Sequence, residues 1–111
     1  MRIGIYGGTF NPIHRGHLTA ARAAMDVLGL DRLLLIPASV PPHKALPQGS
    51  ADPADRLEMA ALACAQLGPA AQALDIELRR TGPSYTVDTL RQLRREYPED
   101  ELWLLMGTDM F

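Results

Sequence analysis

The chain has 111 residues, 47% apolar and 22% charged, with a net charge of −2; that suits one soluble domain with a sizeable core and leaves no room for two. The acidic balance and scattered arginines argue against a nucleic-acid partner, and no stretch approaches the ~18 apolar residues of a membrane span. The short apolar lead-in before Gly7-Gly8 is too brief for a secretory signal, and the lone Cys64 has no internal disulfide partner, so a cytoplasmic protein with a buried structural thiol is expected.

Taken in chain order, RIGIYG (residues 2–7) reads as a short strand ending in glycines. Leu18, Ala21, Met25 and Leu28 follow at spacings of 3, 4 and 3, the buried stripe of a helix starting near Gly16 and stopped by Gly29. Leu33 to Ile36 is a continuous apolar run closed by Pro37, as in a strand covered on both faces. The loop ASVPPHKALPQGSA (38–51) is long enough to suggest a function of its own. Asp52 caps and Pro53 opens a second helix, with Leu57, Ala61, Cys64 and Leu67 as its expected inward stripe. ALDIELRR (73–80) alternates, with Leu74, Ile76 and Leu78 on one face, and predicts a half-exposed strand at a sheet edge. After Gly82-Pro83 a third helix begins near Thr86 with Val87, Leu90, Leu93 and Tyr97 inward, and ELWLLMG (101–107) is a further buried strand.

The order β-α-β-α-β-α-β predicts an α/β fold: a parallel sheet with right-handed crossovers and helices on both faces. Ligands in such sheets bind beyond the carboxyl ends of the strands, where the winding reverses. Four segments leave those ends, 7–16, 37–51, 79–85 and 107–111, and they hold the unusual residues.

Gly7 and Gly8 let backbone approach a bulky group, and the main-chain N–H groups of Thr9 and Phe10, with the helix start near Gly16, can form an anion site. An ordinary tight strand–helix turn would look the same. His14 and His17 stand three residues apart at that helix start, aimed toward one point, with Gly16 between them leaving room for a ligand. Imidazole donors there would stabilise the charge that grows as a phosphoryl or nucleotidyl group transfers. Helix capping is the plainer role for the pair; a zinc site lacks the ligand spacing. Lys44 is the only lysine among eleven Lys and Arg residues, a compact mobile charge of the kind phosphate sites use.

GGTFNPIHRGH (7–17) resembles the signature of the adenylyl/cytidylyltransferase superfamily, whose (H/T)-x-G-H motif falls on His14 to His17. PPHK (41–44), ADPADRLEM (51–59), GPSYTVDTL (82–90) and GTDMF (107–111) further resemble bacterial nicotinate-nucleotide adenylyltransferases, in the same order. Asn11 stands where the family often has Asp, and both suit a turn. The resemblance implies a Rossmann-like, nucleotidyltransferase-type sheet. It also implies transfer of the adenylyl group of ATP to nicotinate mononucleotide, with Mg²⁺, without a covalent enzyme intermediate. Catalysis would then rest on positioning and charge stabilisation.

Position by position, the resemblance implies that Gly7, Gly8, Thr9 and Phe10 cradle ATP and that His14 and His17 contact its phosphates. Gly107 and Asp109 would hold the adenosine, Asp109 at the ribose hydroxyls, and Lys44 would contact phosphate. Ser84, Tyr85 and Thr86 would line the mononucleotide pocket; a plain helix N-cap is the other reading of Thr86, and the two roles can coexist. Asp88 is read as a helix-dipole partner, and Arg56 and Glu58 as scaffold groups. The family's later Ser/Thr-rich motif with its arginine lies beyond Phe111, so residues 1–111 are expected to form the N-terminal portion of one catalytic domain. A pantetheine-phosphate adenylyltransferase, a non-catalytic nucleotide-binding fragment and a self-associating fragment are the alternatives; PPHK and SYTVDTL argue against the first.

Overall fold

The computed structural model describes residues 1–8, 10, 13–38, 53–79 and 86–105. Its elements are β1 (Arg2–Gly8), α1 (Arg15–Leu28), β2 (Arg32–Pro37), α2 (Pro53–Leu67), β3 (Ala71–Ala73), α3 (Thr86–Glu96) and β4 (Glu101–Leu105). The four strands form one sheet in the order β3-β2-β1-β4, and every pairing is parallel. The chain winds outward from β1 through β2 to β3, then returns to place β4 on the other side of β1. The winding therefore reverses between β1 and β4, which makes their carboxyl ends the ligand position of such a sheet.

Period-two alternation in the central strands builds a core on each face. Tyr6, Leu33 and Leu35 meet Ala21 of α1 and Ala60 and Cys64 of α2 on one side. Ile3, Ile5, Leu34 and Ile36 meet Leu93 of α3, with Ile76, on the other. Gly4 lies on the first face, where a Cβ would stand 2.5 Å from Leu30 Cδ1; its missing side chain makes space for the turn after α1. That turn is Gly29, at φ 62°, whose N–H reaches back to Met25 O, so the helix stops as its glycine predicts. Burial raises the Cys64 thiol from 9.0 to about 11, as for an inert structural cysteine.

The third strand departs from its expected place. β3 covers only Ala71–Ala73, at the sheet edge as predicted, and the alternating stretch beyond it is not strand. Leu74 N–H makes a last bond to Leu35 O, then Arg79 N–H returns to Asp75 O at 3.1 Å and Arg79 Nε pairs with Asp75 Oδ1 at 3.0 Å. This turn of i,i+4 contacts buries both Ile76 and Glu77, neighbours that a strand would send to opposite faces. The inward face of α2 is also rotated from the expected one. Arg56, Ala60, Ala63 and Cys64 are buried, whereas Ala61 is exposed; in an alanine-rich helix, close approach to the sheet selects the smallest ridge. In α3, Thr89 and Leu93 are buried while Val87 is 52% exposed. Asp88 lies in its first turn and Arg94 and Arg95 in its last, each favourable to the helix dipole.

Candidate nucleotide site

β1 delivers Gly7 and Gly8, both half-buried, to the point where the winding reverses. Gly8 O accepts the N–H of Ala38 at 2.8 Å, which ties the end of β1 to the start of the segment that carries Lys44. Ala38 O in turn accepts Arg56 Nη1 at 2.5 Å. Arg56 is fully buried, and desolvation lowers its pKa below the usual guanidinium range. The expected scaffold role is thus a specific one, holding the backbone at the carboxyl end of β2.

Phe10 adopts φ 48°, the left-handed region that few bulky residues enter. This conformation turns its ring into the core, where it is 3% exposed. Its ring meets Tyr6 edge-on at 5.4 Å and His17 edge-on at 5.1 Å. Any contact of Phe10 with a ligand is therefore left to its backbone.

His14 is the N-cap of α1, whose first residue is Arg15 rather than Gly16. Its Nδ1 accepts the N–H of Gly16 at 3.0 Å, and its own N–H donates to His17 Nδ1 at 3.0 Å. The two rings lie 3.9 Å apart, tilted by 35°. The space at Gly16 is taken by the His14 ring itself: a Cβ there would be 2.8 Å from His14 Cε1. Because both Nδ1 atoms accept backbone N–H bonds, each neutral ring carries its proton on Nε2. The capping reading is thus realised in full at the N-terminus of α1.

Thr86 is the first residue of α3, exposed, and inside the helix instead of at its cap. Thr9, Lys44, Ser84, Tyr85, Gly107 and Asp109 lie outside the described residues. Among the described residues no three His, Cys, Asp or Glu side chains converge on a metal position, and no helix is long and apolar enough to cross a membrane. The donors at the end of β1 are N–H groups, which suit phosphate oxygens and do not suit Mg²⁺.

Residues 5–111 match the family model described as cytidylyltransferase-like. The chain belongs to that family. Among curated members, probable nicotinate-nucleotide adenylyltransferases from Gloeobacter violaceus and Thermus thermophilus are 54% and 51% identical to it. The first alignment covers 97% of this chain and 52% of the relative, the second 100% and 58%. This cytidylyltransferase-like chain spans about half the length of the curated relatives it matches. The Plasmodium falciparum nicotinic acid mononucleotide adenylyltransferase complexed with NaAD superimposes with a TM-score of 0.81 at 18% identity, over 98% of this chain and 53% of that one. The same enzyme complexed with APC gives 0.79 at 17%, over 98% and 52%. At that identity the likeness is one of fold.

Two groups that serve this end of the sheet escape a reading of the sequence. Tyr6 supplies part of the aromatic wall behind His17, its ring 6.2 Å away, yet in RIGIYG it reads only as strand. Glu77 sits on what looks like the polar face of an alternating strand, and its burial follows from a turn that alternation conceals.

Proposed function

We propose that this chain is the nucleotide-binding part of a nicotinate-nucleotide adenylyltransferase, which transfers the adenylyl group of ATP to nicotinate mononucleotide. The observation that supports the proposal is the reciprocal capping of His14 and His17 at the start of α1, which orients both rings through their Nδ1 atoms. The half-length identity to adenylyltransferases supports the choice of substrates.

In this reading a phosphate oxygen of the mononucleotide attacks the α-phosphorus of ATP in line. The new P–O bond forms as the bond to pyrophosphate breaks. Gly7 and Gly8 bring backbone close to the triphosphate, joined by the main-chain N–H groups of Thr9 and Phe10. His14 and His17 donate to oxygens whose charge grows in the transition state; one such donor contributes on the order of 3 kcal/mol. Lys44 adds a phosphate contact, Gly107 and Asp109 hold adenosine, and Ser84, Tyr85 and Thr86 line the mononucleotide pocket. Mg²⁺ would arrive on the triphosphate, offsetting its charge. Residues 1–111 act as one unit in the cytoplasm.

Calorimetric titration of the 111-residue chain tests the proposal. ATP with Mg²⁺ is expected to bind weakly, and nicotinate mononucleotide to bind where pantetheine phosphate does not. Pyrophosphate formation should stay near background, because losing two phosphate contacts reduces rate by about four orders of magnitude. Absence of binding by both nucleotides, or preference for pantetheine phosphate, would overturn it. Rapid dinucleotide formation would show instead that the half-length chain suffices.

A further inference from the structure

A buried hydrogen bond joins the turn after β3 to the first half of α3. Thr89 Oγ1 donates to Glu77 Oε2 at 2.7 Å, with the two residues 3% and 8% exposed. The contact lies against an apolar face, since Ile76 beside Glu77 and Leu93 one turn beyond Thr89 belong to the same core cluster as Leu34 and Ile36 of β2. A short hydrogen bond between two buried side chains in such surroundings is strengthened by the low local dielectric and holds the two elements in a defined geometry. Arg79 and Asp75 brace the same turn by their i,i+4 pair. Thr86 lies three residues before Thr89, on the same side of α3 and one turn nearer its start, and it is exposed.

We propose that Glu77 and Thr89 are positioning residues: their bond sets the rotation and height of the first turn of α3 against the sheet, and so fixes where Thr86 meets the mononucleotide. The inference rests on the role given to Thr86 above. Neither Glu77 nor Thr89 touches substrate. The ATP side is held by other elements, the end of β1 and the start of α1, so the two nucleotides should respond differently when the bond is removed. A residue of general structural value would weaken both alike.

The test measures nicotinate mononucleotide and ATP affinities of the 111-residue chain carrying Thr89→Val, Thr89→Ser or Glu77→Gln, together with amide exchange along α3. Thr89→Val is expected to weaken the mononucleotide about tenfold and ATP less than about twofold, this tenfold difference corresponding to loss of one hydrogen bond. Thr89→Ser should restore the affinity. Glu77→Gln, which keeps an acceptor of the same shape, should fall between them, and it supplies the comparison if the valine variant fails to fold. Amides of Leu90 and Arg91, which bond to carbonyls of the first turn of α3, should exchange faster in Thr89→Val while those of the last turn do not. Unchanged mononucleotide affinity, or equal loss for both nucleotides, would overturn the proposal. If the parent chain binds no mononucleotide, the substrate assignment fails on its own, and the exchange pattern still decides whether the bond positions the helix.

Discussion

His14 and His17 close the first turn of α1 on each other, the backbone N–H of one on the ring Nδ1 of the other at 3.0 Å. The ring that would face a transferring phosphate is therefore also part of the helix cap, and the two roles differ in size. Loss of a cap destabilises by about 1 kcal/mol. Loss of a phosphate donor costs the transition state on the order of 3–4 kcal/mol. His17→Ala should accordingly lower the melting temperature modestly. In the adenylyl transfer proposed above, measured on a version extended to the length of its relatives, it should reduce kcat by two to three orders of magnitude (about 3–4 kcal/mol), with a smaller change in ATP affinity. Near-normal turnover in the alanine variant would remove His17 from the mechanism.

Gly16→Ala separates position from presence. Alanine gains about 1 kcal/mol of helix propensity over glycine, but its Cβ would lie 2.8 Å from His14 Cε1 and 3.0 Å from Nδ1, which displaces the ring and loses a cap of similar value. Stability should barely change while ATP affinity falls. A variant that binds ATP as the parent does would mean the His14 ring position is immaterial.

Lys44→Ala should weaken nucleotide binding and shift the melting temperature by no more than about 2 °C. Loss of the fold along with binding would assign this lysine a structural duty.

Stability should decline on the alkaline side, for two reasons with the same sign. The N-terminal amine, hydrogen-bonded to Asp100 at 2.8 Å, has its pKa raised above 8.0 by that bond. Its contribution is complete below the unfolded value and is lost as pH rises through the folded one. The Cys64 thiol, raised by burial from 9.0 to about 11, keeps its proton in the folded state across a range in which the unfolded chain releases it. Folded protein thus holds more protons than unfolded, and stability falls with pH. Thermal melts from neutrality to pH 11 should show a decline beginning near pH 8, flattened at its start by Asp100→Asn and at its upper end by Cys64→Ala. A flat profile in the parent chain would contradict both assignments.

Reading the sequence recovers those parts of the fold that are written as contrast. Leu33 to Ile36 has no polar interruption, and β2 is the strand buried on both faces. Gly29 stands at the helix end that its φ requires. Where contrast is weak the reading slips: α2 offers alanine on nearly every face, so nothing in its pattern separates Ala60 from Ala61. ALDIELRR fails differently, because alternation describes a strand and says nothing of the Asp75–Arg79 bond that curls the chain. At the site, the spacing of His14 and His17 was legible as a pair aimed at one place. That each ring would cap the other depends on ring orientation, which spacing does not contain.

β1 has a neighbour on each side, and they come from far apart in the chain. β2 pairs with it within about thirty residues, whereas Arg2 meets Glu101 and Met1 meets Asp100, contacts 99 residues apart. The glycine-tipped strand thus depends on one partner close by in the chain and on another far along it. Local helices can form independently, but the β1–β4 pairing closes a loop between residues 99 apart, and that entropy makes it a slow contact to form. A nucleotide held where the winding reverses would stabilise that long-range junction by mass action.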